Sequence, residues 1–263
     1  MPEGHTIHRL ALDHAKALGG QRLAVSSPQG RFVGADRVDG CVLEGTDAYG
    51  KHLFYAYEGE RLVQVHLGLY GAFTRHALPP PPPRDTCRMR LVGGADAFDL
   101  VGPTSCRLVT PDERDAIVAR LGPDPIRRDA DPELAWAAVR RRRAPIGQVL
   151  LDQAVVAGVG NVFRAEALFV HGISPERPAT AVDRATWDGL WATLAAMLRR
   201  GVTDRRIITV DPAEVGRRSR SRLPRRLATY VYRQEHCVRC GTPVRRWLLG
   251  GRWAYACPKD QPD

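Results

Sequence analysis

A change of hydrophobic period near residue 110 constrains this chain most. From about 21 to 110 the apolar residues form short runs rich in β-branched and aromatic side chains, such as LFYAY (53–57) and RLVQVHL (61–67), punctuated by glycines. Such runs predict antiparallel strands. From about 112 the apolar residues fall at helical spacing, in DERDAIVARLG, PELAWAAVRRRR, PIGQVLLDQ, NVFRAEALFVHG and ATWDGLWATLAAMLRRG, with Pro, Gly and Asp between them. Ahead of the strands, Ile7, Leu10, Ala11 and Leu18 predict a helix over 5–18, ended by Gly19-Gly20. The expected fold class is α+β: an N-terminal helix plus antiparallel β-sandwich over 1–112, a helical domain over 113–226, and a β-hairpin over 227–263.

Lysine and arginine outnumber the acids by 39 to 29, a formal charge of +10 that suits a polyanionic partner. No run of 18 apolar residues is present, and Glu3 and His5 stand where a signal peptide would have a basic start and an apolar run. A soluble cytoplasmic protein with no membrane partner is expected. Cys41, Cys87 and Cys106 are isolated and Cys237, Cys240 and Cys257 cluster near the end, which is no secreted disulfide framework and points to a metal.

Pro79–Pro83 reads as a loop between strands, since successive prolines lack the N–H that a strand interior needs. Residues 217–226 hold six arginines, no acid and one proline, which argues against a packed helix and leaves two readings, a solvated mobile loop or a DNA-contacting one.

The start of the chain carries chemistry. Removal of Met1, which a small second residue allows, leaves Pro2 with a free secondary amine. Attack on a sugar C1′ by that amine gives an iminium, cationic without an added proton, which draws electrons from the C2′–H bond and leads to elimination. An α-amino pKa of roughly 7.7–8.0 leaves on the order of a tenth of the amine as free base at pH 7. Glu3, next in sequence, suits a general acid/base role.

The segments MPEGHTIHRL, GKHLF, VGNVFRAEALF and CVRC with GGRWAYAC span the chain in order. Together they resemble the formamidopyrimidine-DNA glycosylase and endonuclease VIII family. MPEG is more similar to the endonuclease VIII branch, in particular its actinobacterial subgroup, than to the glycosylase branch, which opens MPELPE.

The resemblance implies Pro2 as nucleophile, Glu3 as acid/base, and Lys51 on a β-hairpin contacting phosphate and helping proton transfer. It implies a helix–two-turn–helix over 145–169, where Asn161 and the Gly158–Gly160 turn present donors to a phosphate, the Asn161 oxygen being free to cap the helix. Arg252, five residues before Cys257, matches the family's phosphate-gripping finger arginine, with Arg245 and Arg246 as plain charge by comparison. Leu69 in HLGLYG matches the wedge that fills the vacated base stack. Cys237-x2-Cys240, sixteen residues, then Cys257-x2-Asp260 follows the family's zinc spacing with aspartate in place of the usual fourth cysteine. Zinc accepts carboxylate oxygen at about 2.0–2.2 Å, so one structural Zn2+ is expected there, with His236 as a substitute ligand. No residue of FDLVGPTSCRL (98–108) maps onto a damage-reading loop.

The implied activity is a monomeric bifunctional glycosylase and AP lyase that removes oxidised bases, pyrimidines above all, from damaged double-stranded DNA and cuts the strand by β,δ-elimination. A non-catalytic damaged-DNA-binding protein would keep Asn161, Arg252 and the finger but has no need of Pro2-Glu3. An RNA-binding zinc-finger protein would leave the ordered motifs unexplained.

Overall fold

The computed structural model describes residues 2–262, in two compact units, one up to Arg120 and one from Leu121. In the first, helix α1 (Gly4–Leu18) precedes strands β1 (Ala24–Ser26), β2 (Leu43–Tyr49), β3 (His52–Tyr57), β4 (Arg61–His66), β5 (Ala72–Ala77), β6 (Cys87–Val92), β7 (Asp96–Val101) and β8 (Ser105–Val109), with helix α2 (Pro111–Val118) closing the unit. The strands form two four-stranded antiparallel sheets, β1-β6-β7-β5 and β2-β3-β4-β8.

The core between the sheets is built from alternate strand residues such as Leu53, Tyr55, Val63, Val65, Met89, Leu91 and Leu100, and α1 adds Ile7, Ala11 and Leu18. Burying each such aliphatic side chain stabilises by roughly 1.5–3 kcal/mol. Two polar pairs are admitted under constraint. The His14 Nδ1 and the Tyr55 hydroxyl hydrogen-bond at 2.7 Å with the imidazole edge-on to Phe73, and Arg90 grips Asp99 through two bonds of 2.6 and 2.7 Å. The prolines at 79–83 lie in the β5–β6 loop, as their missing N–H groups require. Helix α2 starts with a full capping box, Thr110 and Glu113 each bonding the other's backbone N–H.

The second unit contains α3 (Pro132–Val139), α4 (Ile146–Val149), α5 (Asn161–Val170), α6 (Arg184–Asp204) and the hairpin β9 (Arg245–Leu249) and β10 (Arg252–Ala256). Asp131 and Asp183 cap α3 and α6 through backbone N–H groups at 2.9 and 2.8 Å. The helix expected over PIGQVLLDQ shrinks to the single turn of α4. Gly147 sits so close to Pro175 that a Cβ would lie 2.9 Å from its carbonyl oxygen, and the chain turns away after Leu150. Helix α5 is buried on every side from Asn161 to Phe169. No helix among the described residues is long and apolar enough to cross a membrane.

Candidate functional site

In the first unit the predicted residues lie at the start of α1 and at two strand turns. Met1 lies outside the described residues. Pro2 is half-buried, and Glu3 is fully buried at the N-cap of α1. The Glu3 carbonyl accepts from the N–H groups of Thr6 and Ile7, but its carboxylate does not cap the helix, so its burial serves something other than capping.

Lys51 is half-buried in the two-residue Gly50-Lys51 turn of the β2–β3 hairpin, where Gly50 takes a φ of +57°. Beneath the turn, His52 and His66 lie 4.9 Å apart. Gln64 bonds His52 at 3.1 Å and accepts from Ser105 at 2.8 Å. Burial lowers His52 to about 4, with His66 adding to the effect. Burial also lowers His66, assisted by the Lys51 ammonium. The histidines are therefore neutral at pH 7.

Leu69 lies on the β4–β5 turn, 47% exposed, and its neighbour Tyr70 is 87% exposed. Large apolar side chains held in water on a tight turn mark an interaction surface rather than a core. Gly68, at φ +66°, is required here, because a Cβ would lie 1.9 Å from Thr104 Oγ1. Thr104 also donates its N–H to the His66 carbonyl at 2.9 Å. The Gly102–Thr104 turn, inside a segment that the sequence left unassigned, thus backs the Leu69–Tyr70 turn. Sequence reasoning singled out Leu69 and missed Tyr70; the signal available was an aromatic between two turn glycines.

In the second unit, Asn161 opens α5, but as its first helical residue: Gly160 is the N-cap, and no side chain caps it. The expected capping role of Asn161 is therefore corrected. Its oxygen accepts from Arg164 and its amide donates to the Trp253 carbonyl at 3.0 Å. The turn before it is shaped by Gln153, which accepts from the Gly158 N–H at 3.0 Å and donates to the Val159 carbonyl at 2.9 Å.

Arg252 is exposed at the start of β10, just after Gly250 and Gly251, both at positive φ. Arg245 and Arg246 are more than plain charge. Arg245 pairs with Glu176 at 3.0 Å and lies over the Trp247 ring, and Arg246 lies over Trp253 at 4.6 Å. They stiffen the hairpin that presents Arg252.

Two buried ions on α5 went unnoticed in the sequence. Arg164 donates to the carbonyls of Gly147 at 3.1 Å and Trp253 at 2.7 Å. Glu166 accepts from the N–H groups of Tyr230, Val231 and Tyr232 at 2.6, 3.0 and 2.8 Å, and from the Thr209 hydroxyl. Burial pushes its carboxyl up, while those donors pull it back. A charged pair inside a helix that is otherwise apolar on all faces was the available signal.

Cys237, Cys240, Cys257 and Asp260 bring one donor atom each to within 4.8 Å of one another. Asp260 Oδ2 lies 3.4 Å from Cys237 Sγ and 3.1 Å from Cys257 Sγ, and the Cys240 and Cys257 sulfurs are 3.4 Å apart. Three soft sulfurs and one carboxylate converging on one point fit a tetrahedral metal site. His236 is exposed and does not join the cluster. Gln261 anchors the end of the site, accepting from the Cys257 N–H at 3.0 Å and donating to the Ile173 carbonyl at 2.8 Å.

Comparison with known proteins agrees in both units. Residues 1–102 match the formamidopyrimidine-DNA glycosylase N-terminal domain, and residues 121–211 match the formamidopyrimidine-DNA glycosylase H2TH domain. Endonuclease 8 1 of Mycobacterium tuberculosis is 47% identical over 265 residues, covering 98% of each chain. The formamidopyrimidine-DNA glycosylase of Geobacter metallireducens is 29% identical over 258 residues, 91% of each. Among solved structures, MutM in complex with carbocyclic 8-oxo-G containing DNA shares the fold, with a TM-score of 0.82 at 21% identity and full coverage of both chains. So does Lactococcus lactis Fpg with an abasic site containing DNA, with a TM-score of 0.83 at 20% identity over 99% of this chain and 100% of that one. The chain belongs to the formamidopyrimidine-DNA glycosylase and endonuclease VIII family.

Proposed function

We propose that Pro2 is the nucleophile of a base-excision-repair DNA glycosylase with AP lyase activity, and that Glu3 is its acid/base partner. The glycosylase activity rests on family membership across both units. The observation that carries the residue assignment is Glu3, a fully buried carboxylate spent next to Pro2 without capping the helix that it begins.

With Met1 removed, the Pro2 nitrogen attacks C1′ of the damaged nucleotide, the glycosidic C–N bond breaks, and the base leaves with a proton from Glu3. Loss of the C1′ ring-oxygen bond gives the iminium. Removal of a C2′ proton then expels the 3′ phosphate, and a second elimination expels the 5′ phosphate. Lys51, Asn161 and Arg252 hold phosphates: the ammonium as a compact charge, the amide at a helix N-terminus, the guanidinium as a bidentate fork. Leu69 and Tyr70 fill the vacated stack.

Cys237, Cys240, Cys257 and Asp260 would hold one Zn2+, which supplies a structural cross-link at the base of the hairpin. Labour divides over residues 1–112 for chemistry, 113–226 for strand binding and 227–263 for the finger. Damaged double-stranded DNA is the partner, with oxidised pyrimidines the substrate class that the resemblance of the opening MPEG to the endonuclease VIII branch implies. One chain supplies every group named, so the enzyme acts as a monomer, in the bacterial cytoplasm at the nucleoid.

Borohydride reduction during incubation with abasic duplex DNA tests the lyase reading, because only an iminium is reduced to a stable protein–DNA adduct. A covalent band is expected. Its absence under buffer conditions that support strand cleavage would leave Pro2 without its role.

A further inference from the structure

The arginine-rich segment 217–226 forms no packed α-helix and is anchored through Arg220 and Leu223. One of its arginines turns inward and five turn outward. Arg220 donates to the Asp204 carboxylate at 2.9 Å and to the Ile208 carbonyl at 2.6 Å. Arg206 donates to the carbonyls of Arg220, Ser221 and Leu223 at 2.9, 3.2 and 2.8 Å. Leu223 is buried in the same cluster as Phe169 of α5, Tyr230 and Cys257. Glu166 of α5 binds the backbone just beyond, at 230–232. The segment is thereby tied to the helix whose first residue is Asn161.

Arg217, Arg218, Arg222, Arg225 and Arg226 are exposed. None of their five guanidinium groups makes a hydrogen bond or ion pair with another described residue. Some surface arginines elsewhere are paired, Arg75 with Asp96, Arg184 with Glu133 and Asp188, and Arg239 with Glu214. Five unpaired guanidinium groups within ten residues repel one another inside a Debye length of about 8 Å at physiological salt. An anion of matching charge density would relieve that repulsion.

We infer that this arginine face is a second phosphate-binding surface, which grips the backbone of duplex DNA in addition to the contacts of Asn161 and Arg252; the inference rests on the DNA reading above. Three features select the duplex backbone. Residues 211–228 contain no aromatic side chain on which an unpaired base could stack, as single-stranded DNA and RNA binders use. The apolar Leu223 points inward, leaving nothing to insert into a lipid surface. Arginine forks match phosphate oxygens bidentately, and duplex DNA carries one charge per about 1.7 Å of axis.

The test is the salt dependence of binding to a duplex carrying a tetrahydrofuran abasic analogue, for the full-length protein and for a variant with all five residues changed Arg→Gln. Each lost phosphate contact flattens the slope of log K against log salt by about 0.9. The variant is expected to flatten it by about 2 or more and to bind at least tenfold more weakly at low salt. The corresponding Arg→Lys variant is expected to keep most of the slope. Because Arg→Gln leaves the main-chain bonds in place and the five guanidinium groups have no partner among the described residues, the thermal melt and metal content should match the parent. Arg220→Gln, which removes an anchor of the segment, should lower the melt. An unchanged slope in the five-fold Gln variant overturns the inference, as does a loss confined to RNA. Borohydride trapping of the parent protein separates the two readings: no adduct there counts against the enzyme, while the salt slope speaks only to this face.

Discussion

Arg164 donates to the Trp253 carbonyl at 2.7 Å, and Asn161 donates to the same oxygen at 3.0 Å. One carbonyl of β10 is thus held by two side chains of α5, next in sequence to Arg252. The hairpin that carries the finger arginine and the helix N-terminus that carries Asn161 form one hydrogen-bonded piece. Arg164→Met keeps the volume but removes the donors, leaving the Gly147 carbonyl and the Asn161 oxygen without them. A loss of about 2–4 kcal/mol is expected in urea unfolding, together with weaker binding of abasic duplex. Unchanged stability with unchanged binding would contradict this linkage.

Glu166 has the same standing on the opposite side of α5. Glu166→Ala leaves three backbone N–H groups and the Thr209 hydroxyl without their acceptor. Each buried donor stranded in this way costs about 1–3 kcal/mol, so a total loss of at least about 3 kcal/mol is expected. Hydrogen exchange should show protection lost first at 230–232.

Much of this frame was legible in the sequence. The period-2 runs and the apolar spacing at 5–18 gave the sheets and α1 because each buries one face, and burial of one face writes a period. Arg164 and Glu166 showed only as two charges inside an otherwise apolar helix, with nothing to name their partners, and Arg206 and Arg220 were not legible. Their partners are main-chain groups or distant acids, which leave no pattern in the local sequence, and in a chain so rich in arginine an inward guanidinium looks like any other charge. Asn161 was placed correctly but given the wrong local bond, since only the fold shows Arg164 occupying its oxygen. The Cys237, Cys240, Cys257 and Asp260 set was legible because metal ligands keep their spacing.

Stability should fall on the acid side. Burial lowers His14 to about 4 from an unfolded value near 6.5, so the unfolded chain binds the extra proton. The neutral folded form is fully favoured above about 6.5, and its contribution, on the order of 3 kcal/mol, is lost as pH falls from there toward 4. His5 and His52 are lowered to about 4 as well, chiefly by burial, and act in the same direction. His14→Gln should give a shallower dependence of unfolding free energy on pH between 4 and 6.5; an identical slope would count against burial as the cause.

The metal site has its own signature. Asp260→Cys should keep one zinc per chain, while Asp260→Ala should weaken zinc by more than the roughly 10–100-fold that loss of an outer-shell partner causes. Metal analysis and chelator titration read this directly. Protein that stays folded at 237–262 and free of metal after extended chelation would remove the ion from the account.

Leu69 and Tyr70 separate the two chemical steps. Changing both to alanine should slow excision of an intact damaged base by on the order of a hundredfold, the equivalent of a few kcal/mol of unstacking. Cleavage at a pre-formed abasic site should change much less, because no base has to leave the stack.

The central claim, that the Pro2 amine forms the covalent intermediate, is tested most directly by peptide mass spectrometry of the borohydride-trapped complex. The account predicts the sugar remnant on the nitrogen of an N-terminal peptide that begins with Pro2, and no trapping for protein that retains Met1. An adduct found only on Lys51 or another lysine, or on chains still carrying Met1, would contradict it.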